Sequence, residues 1–378
     1  MADFNCAHFG VCNACVNFEG GYNAQLERKL LTLKEDFARF WDGEVEVFRS
    51  PEANFRDRAE FRVYKEGADG LFFALTNREK KFFEVKECEI LSAPLNTLVR
   101  TLPEAINSDK ILRNGLFSAE LLGNGSDESV LNLVYHRRLD DVWAKSAEAL
   151  SAKYGVSITG RSKGAIHLIG NDFVTRVFEV AGEKLTYIIK QNCFSQPNGA
   201  VNEQMLNWAV KNASGEGDLI ELYCGSGNFT IAFAKKYRRV FATEVVKEAI
   251  DAAKKNRELN SLSNLYFGRI SAEEASEALG GVREFTRLSG IDLKEFDFHT
   301  IFVDPPRAGL GAKGAEFAAA YNEIIYISCS PETLKIDLEY LTKTHDIKAF
   351  AAFDQFAYTN HLECGVRLVR KGGEKDGV

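Results

Sequence analysis

Apolar residues recur at helical spacing across residues 21–43 (GYNAQLERKLLTLKEDFARFWDG), which predicts an amphipathic helix. The period then changes. Across 45–92 aromatic and β-branched residues alternate with polar ones (VEVF, AEFRVYK, GLFFALT, KKFFEV). That pattern predicts antiparallel strands with turns at Pro51, Gly67 and Gly70. A helix is expected over 95–109, strands over 116–137, and another helix in DDVWAKSAEALSAKY. From 217 to 336 a strand-then-helix rhythm takes over. DLIELYCG, RRVFATEV, TIFVDPPR and IIYISCS read as buried strands, NFTIAFAKKY and VKEAIDAAKKNRELN as helices, and VRLVRK as a last strand. Such alternation predicts a parallel sheet with helices on both faces. The expected fold class is therefore α/β overall, with an α+β domain over 1–185 and a Rossmann-like domain over 186–378.

With 378 residues, 45% of them hydrophobic, two cores are expected, and no apolar run approaches bilayer length. The start, MADFNCAHFGVCNAC, lacks a signal-peptide pattern, so a cytoplasmic protein is expected. A net charge of −7 excludes a uniformly basic polyanion binder. It leaves room for a local basic face, and Arg49, Arg56, Arg58, Arg62, Lys65, Arg78, Lys80 and Lys81 cluster in the first half. Solvated strand faces account for such a cluster equally well.

ELYCGSGNF (221–229) runs from a strand through a Gly-x-Gly turn into a helix. Glycine lets backbone approach a ligand, and a helix start offers free N–H groups. Glu244 follows at the end of the next strand, where an acid accepts hydrogen bonds from a ribose. Thr230 replaces the third glycine of a dinucleotide fingerprint, so the adenosine end of S-adenosylmethionine fits better than NAD.

IFVDPPR (301–307) places Asp304 at a strand's carboxyl edge and Arg307 where amine-methylating enzymes carry an aromatic; an arginine suits a phosphate or carbonyl instead. In YISCSP (326–331), Cys329 sits at a strand end before a helix, whose N-terminus should lower its pKa. The polar loop FDQFAYTNHLECG (353–365) offers Asp354, His361 and Glu363 as acid–base groups. A thiolate, a base and a methyl-donor crevice suit methylation of carbon 5 of a uracil ring. The thiolate adds to carbon 6, and the base later removes the carbon-5 hydrogen.

These segments, with QNCFSQPN (191–198), VREFTRLSGIDL (282–293), EVFRSPEANFRDRAEFRVY (46–64) and VLNLVYHRRLDDVW (130–143), resemble the RNA uracil-5-methyltransferases over nearly the whole chain. The likeness is greatest to the tRNA branch, which methylates uridine 54 of the tRNA T loop and also transfer-messenger RNA (tmRNA). It implies Cys329 as nucleophile, Glu363 as proton acceptor, and Gln196, Tyr223, Asn228, Glu244 and Asp304 as S-adenosylmethionine contacts. It further implies Arg62, Phe117 and Arg307 as RNA contacts, Phe117 as a stacking platform, in a monomer.

Cys6, Cys12 and Cys15, with Cys88 further on, resemble the four-cysteine 4Fe–4S site of the family's ribosomal-RNA branch; structural zinc or free thiols are the other readings. Against the ribosomal-RNA branch stand VREFTRLSGIDL and the lack of a β-barrel ahead of the cysteines. Three alternatives remain: a ribosomal-RNA enzyme, an RNA-folding protein with secondary methyl transfer, and a cytosine-5 enzyme. The last generally has proline before its cysteine, where this chain has Ser328.

Overall fold

The computed structural model describes residues 6–66 and 70–372; the turn expected at Gly67 lies outside the described residues. The first helix, α1 (Gly21–Phe37), buries Tyr22, Leu26, Leu33 and Phe37 on one stripe. It stops short of residue 43, and the amides of Phe40 and Trp41 beyond its end both donate to the Phe37 carbonyl. Strand β1 (Glu46–Phe48) then leaves the first half of the chain and joins the sheet of the second half.

The next elements are β2 (Arg58–Glu66), β3 (Gly70–Thr76), β4 (Phe82–Glu84), α2 (Ala93–Ser108), α3 (Lys110–Arg113), β5 (Leu116–Gly123), β6 (Ser129–Tyr135), α4 (Asp141–Tyr154), β7 (Ser157–Ser162) and β8 (Ala165–Ile169). Gly70 opens β3 rather than forming a turn. The seven strands form one sheet in the order β4-β3-β2-β5-β6-β7-β8. Phe61, Phe73 and Leu121 on one face of this sheet pack with Leu102 of α2 and Trp143 of α4. Helix and sheet come so close that a Cβ at Gly160 would lie 2.2 Å from the Trp143 ring, which requires glycine there. A hairpin, β9 (Phe173–Val180) and β10 (Glu183–Lys190), leads into the second half.

There the chain forms α5 (Gly199–Asn212), β11 (Asp218–Leu222), α6 (Asn228–Phe233), β12 (Val240–Thr243), α7 (Lys247–Leu259), β13 (Leu265–Gly268), α8 (Ala272–Leu279), β14 (Phe298–Val303), α9 (Gly311–Ala318), β15 (Glu323–Ser328), α10 (Pro331–Leu341), β16 (His345–Phe353) and β17 (Glu363–Arg370). The sheet order is β1-β16-β17-β15-β14-β11-β12-β13. All neighbours are parallel except β17, which runs antiparallel to both β15 and β16. Successive residues point into different cores, Leu219 to one and Ile220 to the other, Phe302 to one and Val303 to the other. Both faces are therefore covered, as the alternating pattern predicts. Among the described residues no helix is long and apolar enough to cross a membrane.

Candidate active site

The carboxyl ends of β11, β14 and β15 deliver Tyr223, Asp304 and Cys329 to one edge of the sheet. The antiparallel β17 completes the set. Its register pairs Ser328 with Cys364, so the next pair outward is Cys329 with Glu363. One reversed strand thus sets a carboxylate opposite a thiol.

A cavity at this edge is lined from both halves of the chain, by Asp57, Arg58 and Arg176 on one side and Gln196, Tyr223, Asn228 and Asp304 on the other. Tyr223 (φ 62°) and Gly225 (φ 53°) turn the chain out of β11 with left-handed backbone. A Cβ at Gly225 would meet nothing within 4 Å, so the turn leaves open space beside the backbone. Glu244 is oriented toward this turn, accepting from the amides of Gly225 (3.2 Å), Val245 (2.7 Å) and Val246 (2.9 Å). It does not itself line the cavity. Asn228 is locked by a reciprocal amide pair with Asn202 (2.9 and 2.8 Å). Gln196 accepts from Gln355 Nε2 at 2.9 Å.

Several cavity residues escape sequence reasoning. Glu221 is fully buried, lines the cavity and has Oε2 without a partner. Burial pushes its carboxyl up to about 8. Arg58 donates to the carbonyls of Gln191 and Cys193 and to Ser195 Oγ, fixing the segment that carries Gln196. Arg176 pairs with Asp57, and its guanidinium occupies the space that any side chain at Gly199 would need. The acid at the start of ELYCGSG was the available signal for Glu221; Arg58 and Arg176 carried none beyond their charge. An orphaned buried carboxylate oxygen, a glycine turn with free space and an acid on the next strand together fit the ammonium, methionyl and ribose parts of S-adenosylmethionine.

The second cavity contains Cys329, Arg307 and His361, and its far wall is α1, through Arg28, Lys29 and Thr32. Arg307 Nη2 and His361 Nε2 lie 3.4 Å apart. Asp304 joins the two cavities electrostatically: it lines the first and raises both Glu363 and Cys329 beside the second. Burial raises Asp304 to about 7. Burial raises Glu363 well above the carboxylate range, and Asp304 adds to it while Arg307 opposes it. One oxygen of Glu363 has no partner.

Two expectations need correction. The thiol of Cys329 is not lowered by the start of α10. Burial, then Glu363 and Asp304, push it up to about 11, with Arg307 pulling the other way. In the first turn of α10 the Thr333 amide donates to Ser330 Oγ, the cap of the helix, and not to the thiol.

The second correction concerns the metal. Cys6, Cys12, Cys15 and Cys88 share one neighbourhood: Cys12 raises the other three thiols, and Cys6 and Cys88 add to the rise at Cys15. Yet among the described residues no group of three or more Cys, His, Asp or Glu side chains is placed to hold a metal ion. The structure thus gives the expected 4Fe–4S cluster no support. Burial pushes the Cys15 and Cys88 thiols up to about 12, and both pack as apolar groups near Tyr22, Phe55 and Tyr358.

Among the three acid–base candidates, Asp354 is fully buried and held by Lys29 (2.7 Å) and Gln25 (2.8 Å). Burial and Arg307 lower His361. Away from this centre, the Arg62 guanidinium lies 3.5 Å above the Phe117 ring, and His136 stacks on that ring at 4.0 Å. Phe117 is therefore already stacked, and a base placed on it must displace one of these two groups.

The family model for tRNA (Uracil-5-)-methyltransferase matches residues 21–371. The tRNA/tmRNA (uracil-C(5))-methyltransferase of Sulfurimonas denitrificans is 44% identical over 97% of this chain and 100% of that protein. The protein of the same name from Shigella flexneri is 42% identical over 93% of this chain and 97% of its own length. Among solved structures, Pyrococcus abyssi tRNA (uracil-54, C5)-methyltransferase in complex with S-adenosyl-L-homocysteine matches with a TM-score of 0.73. That likeness is at 25% identity, over 95% of this chain and 86% of that one. The two-cavity edge thus sits in an S-adenosylmethionine-dependent methyltransferase fold, and the chain belongs to the tRNA (uracil-5-)-methyltransferase family.

Proposed function

We propose that this enzyme methylates carbon 5 of uridine 54 in the T loop of tRNA, and the equivalent uridine of tmRNA, with Cys329 as nucleophile and Glu363 as base. The observation that carries the reading is the facing pair Cys329 and Glu363, tied through Asp304 to the first cavity. Gln196, Tyr223, Asn228, Glu244 and Asp304 hold the cofactor in this reading. Glu221, whose orphaned oxygen faces the same space, receives its ammonium group. Arg62, Phe117 and Arg307 contact the RNA. The activities named for the relatives favour tRNA over ribosomal RNA. A monomer working in the cytoplasm belongs to the same reading.

When bound, S-adenosylmethionine supplies an electrophilic methyl group on a positively charged sulfonium. The Cys329 sulfur bonds to carbon 6 of the uracil, and the carbon 5–carbon 6 electron pair moves toward carbon 5 and the O4 carbonyl. Arg307, on the same cavity wall, is placed to stabilise that developing oxyanion. Carbon 5 takes the methyl group but still carries its hydrogen. The Glu363 carboxylate accepts that proton, the ring double bond re-forms, and the carbon 6–sulfur bond breaks to return the thiolate. Burial and Asp304 favour the protonated form of both groups, and Glu363 adds to the rise at Cys329. Positive charge beside Asp304 and Arg307 shifts both toward the ionised forms the reaction uses. Methylation assays on T-arm RNA and on ribosomal-RNA fragments test the assignment. Activity on the T arm alone supports it, and activity on the ribosomal fragment alone contradicts it.

A further inference from the structure

The loop 354–362, which joins β16 to β17, is anchored to a distant part of the chain. Phe353 pairs with Glu363, so the loop leaves and re-enters the sheet at one level. Asp354 stands at its entrance and Glu363 at its exit. The Asp354 carboxylate, fully buried, accepts from Lys29 Nζ at 2.7 Å and from Gln25 Nε2 at 2.8 Å. Lys29 Nζ also donates to the Phe356 carbonyl at 3.0 Å, and the Tyr358 amide donates to Gln25 Oε1 at 3.3 Å. Gln25 and Lys29 are one turn apart on α1. Two helix residues thus hold three loop residues. The remainder of the loop, Asn360 to Leu362, lines the Cys329 cavity opposite α1.

A buried ion pair is an inefficient way to stabilise a fold. Apolar residues of similar volume generally do as well or better, because desolvation offsets the Coulomb attraction. Burial works against the Lys29 ammonium here too. What the pair provides that apolar groups do not is direction: its hydrogen bonds fix where the loop starts, and through the loop where it ends.

We propose that Lys29 and Asp354, with Gln25, are positioning residues that hold the 354–362 loop so that the Glu363 carboxylate is aimed at the carbon-5 hydrogen. This deepens the proposed mechanism and rests on it. Loss of the pair slows proton abstraction, whereas methyl transfer and cofactor binding persist.

The test uses the full-length enzyme with T-arm RNA and S-adenosylmethionine. Lys29→Met and Asp354→Leu each leave one buried charge unpaired, and the double variant removes both charges while keeping bulk. For all three, kcat should fall about 100-fold, the penalty expected for displacing a reacting group by about 1 Å. KM for S-adenosylmethionine should stay within about twofold, an effect near the additivity error of distant sites. A methylated protein–RNA adduct should accumulate on denaturing gels in single-turnover experiments. The double variant should melt at or above the wild-type temperature and still accumulate the adduct. Recovery of kcat in the double variant would make the pair merely structural and overturn the proposal. So would a fall in kcat with no adduct. Glu363→Gln, run in parallel, separates this failure from failure of the mechanism itself: if it too forms no adduct, the proposed role of Glu363 fails first.

Discussion

The ionisation of Cys329 is where local and tertiary effects disagree most, and it can be measured directly. The thiol rises from an ordinary 9.0 to about 11. Two units mean that, well below pH 9, the thiolate fraction is about 100-fold smaller than for an unperturbed cysteine. Iodoacetamide reacts with the thiolate, so the alkylation rate of the ligand-free protein should rise tenfold per pH unit up to about 11. The Cys329 peptide is followed by mass spectrometry, which separates it from the other seven cysteines. Replacing Glu363 by Gln removes the larger of the two carboxylates that raise the thiol. The midpoint should then fall by about one unit, the usual effect of a neighbouring charge. Burial remains and keeps it above 9.0. A wild-type midpoint at or below 9.0, or one unmoved in Glu363→Gln, would refute the electrostatic account of this site.

Glu221 is raised to about 8, so between its unfolded value near 4.5 and about 8 the folded protein holds a proton that the unfolded chain has released. Stability must therefore fall as pH rises through that window. Glu221→Gln removes the penalty and should raise Tm at pH 8 by the equivalent of a few kcal/mol, with no gain at pH 4, while S-adenosylmethionine binding by calorimetry weakens. An unchanged Tm at pH 8 contradicts the burial argument. Gly225→Val puts a side chain into the open turn at φ 53° and should abolish S-adenosylmethionine binding without unfolding the chain, as read by calorimetry and circular dichroism. Phe117→Ala should weaken T-arm RNA binding about tenfold or more in filter-binding assays, the size of one lost stacked base, and leave cofactor affinity unchanged.

Much of this was legible in the sequence, for identifiable reasons. The strand-helix rhythm marked β11, β12, β14 and β15 because buried parallel strands are continuous apolar runs. It did not reveal β16, whose HDIKAF stretch starts polar with only part of it buried, or the short β13. Strands β7 to β10 were silent for the same reason, being half-exposed with mixed composition. Cys329 and Glu363 stood out because strand ends and a polar loop are where chemistry collects. Their facing geometry was not legible, since it depends on β17 running antiparallel. The direction of the Cys329 shift was misread for a related reason. A helix start can be read locally, whereas Asp304 and Glu363 reach the thiol only through the sheet. The Lys29–Asp354 pair spans 325 positions, and no local pattern announces it.

The central claim is that Cys329 attacks the ring and Glu363 completes the reaction. Incubating T-arm RNA and S-adenosylmethionine with Glu363→Gln, then measuring the mass of the denatured protein–RNA product, tests it most directly. The account predicts a stable adduct, heavier than the sum of protein and RNA by one methylene unit, linked through Cys329, and no adduct with Cys329→Ala. Normal turnover by Glu363→Gln, or an adduct that survives in Cys329→Ala, would contradict it.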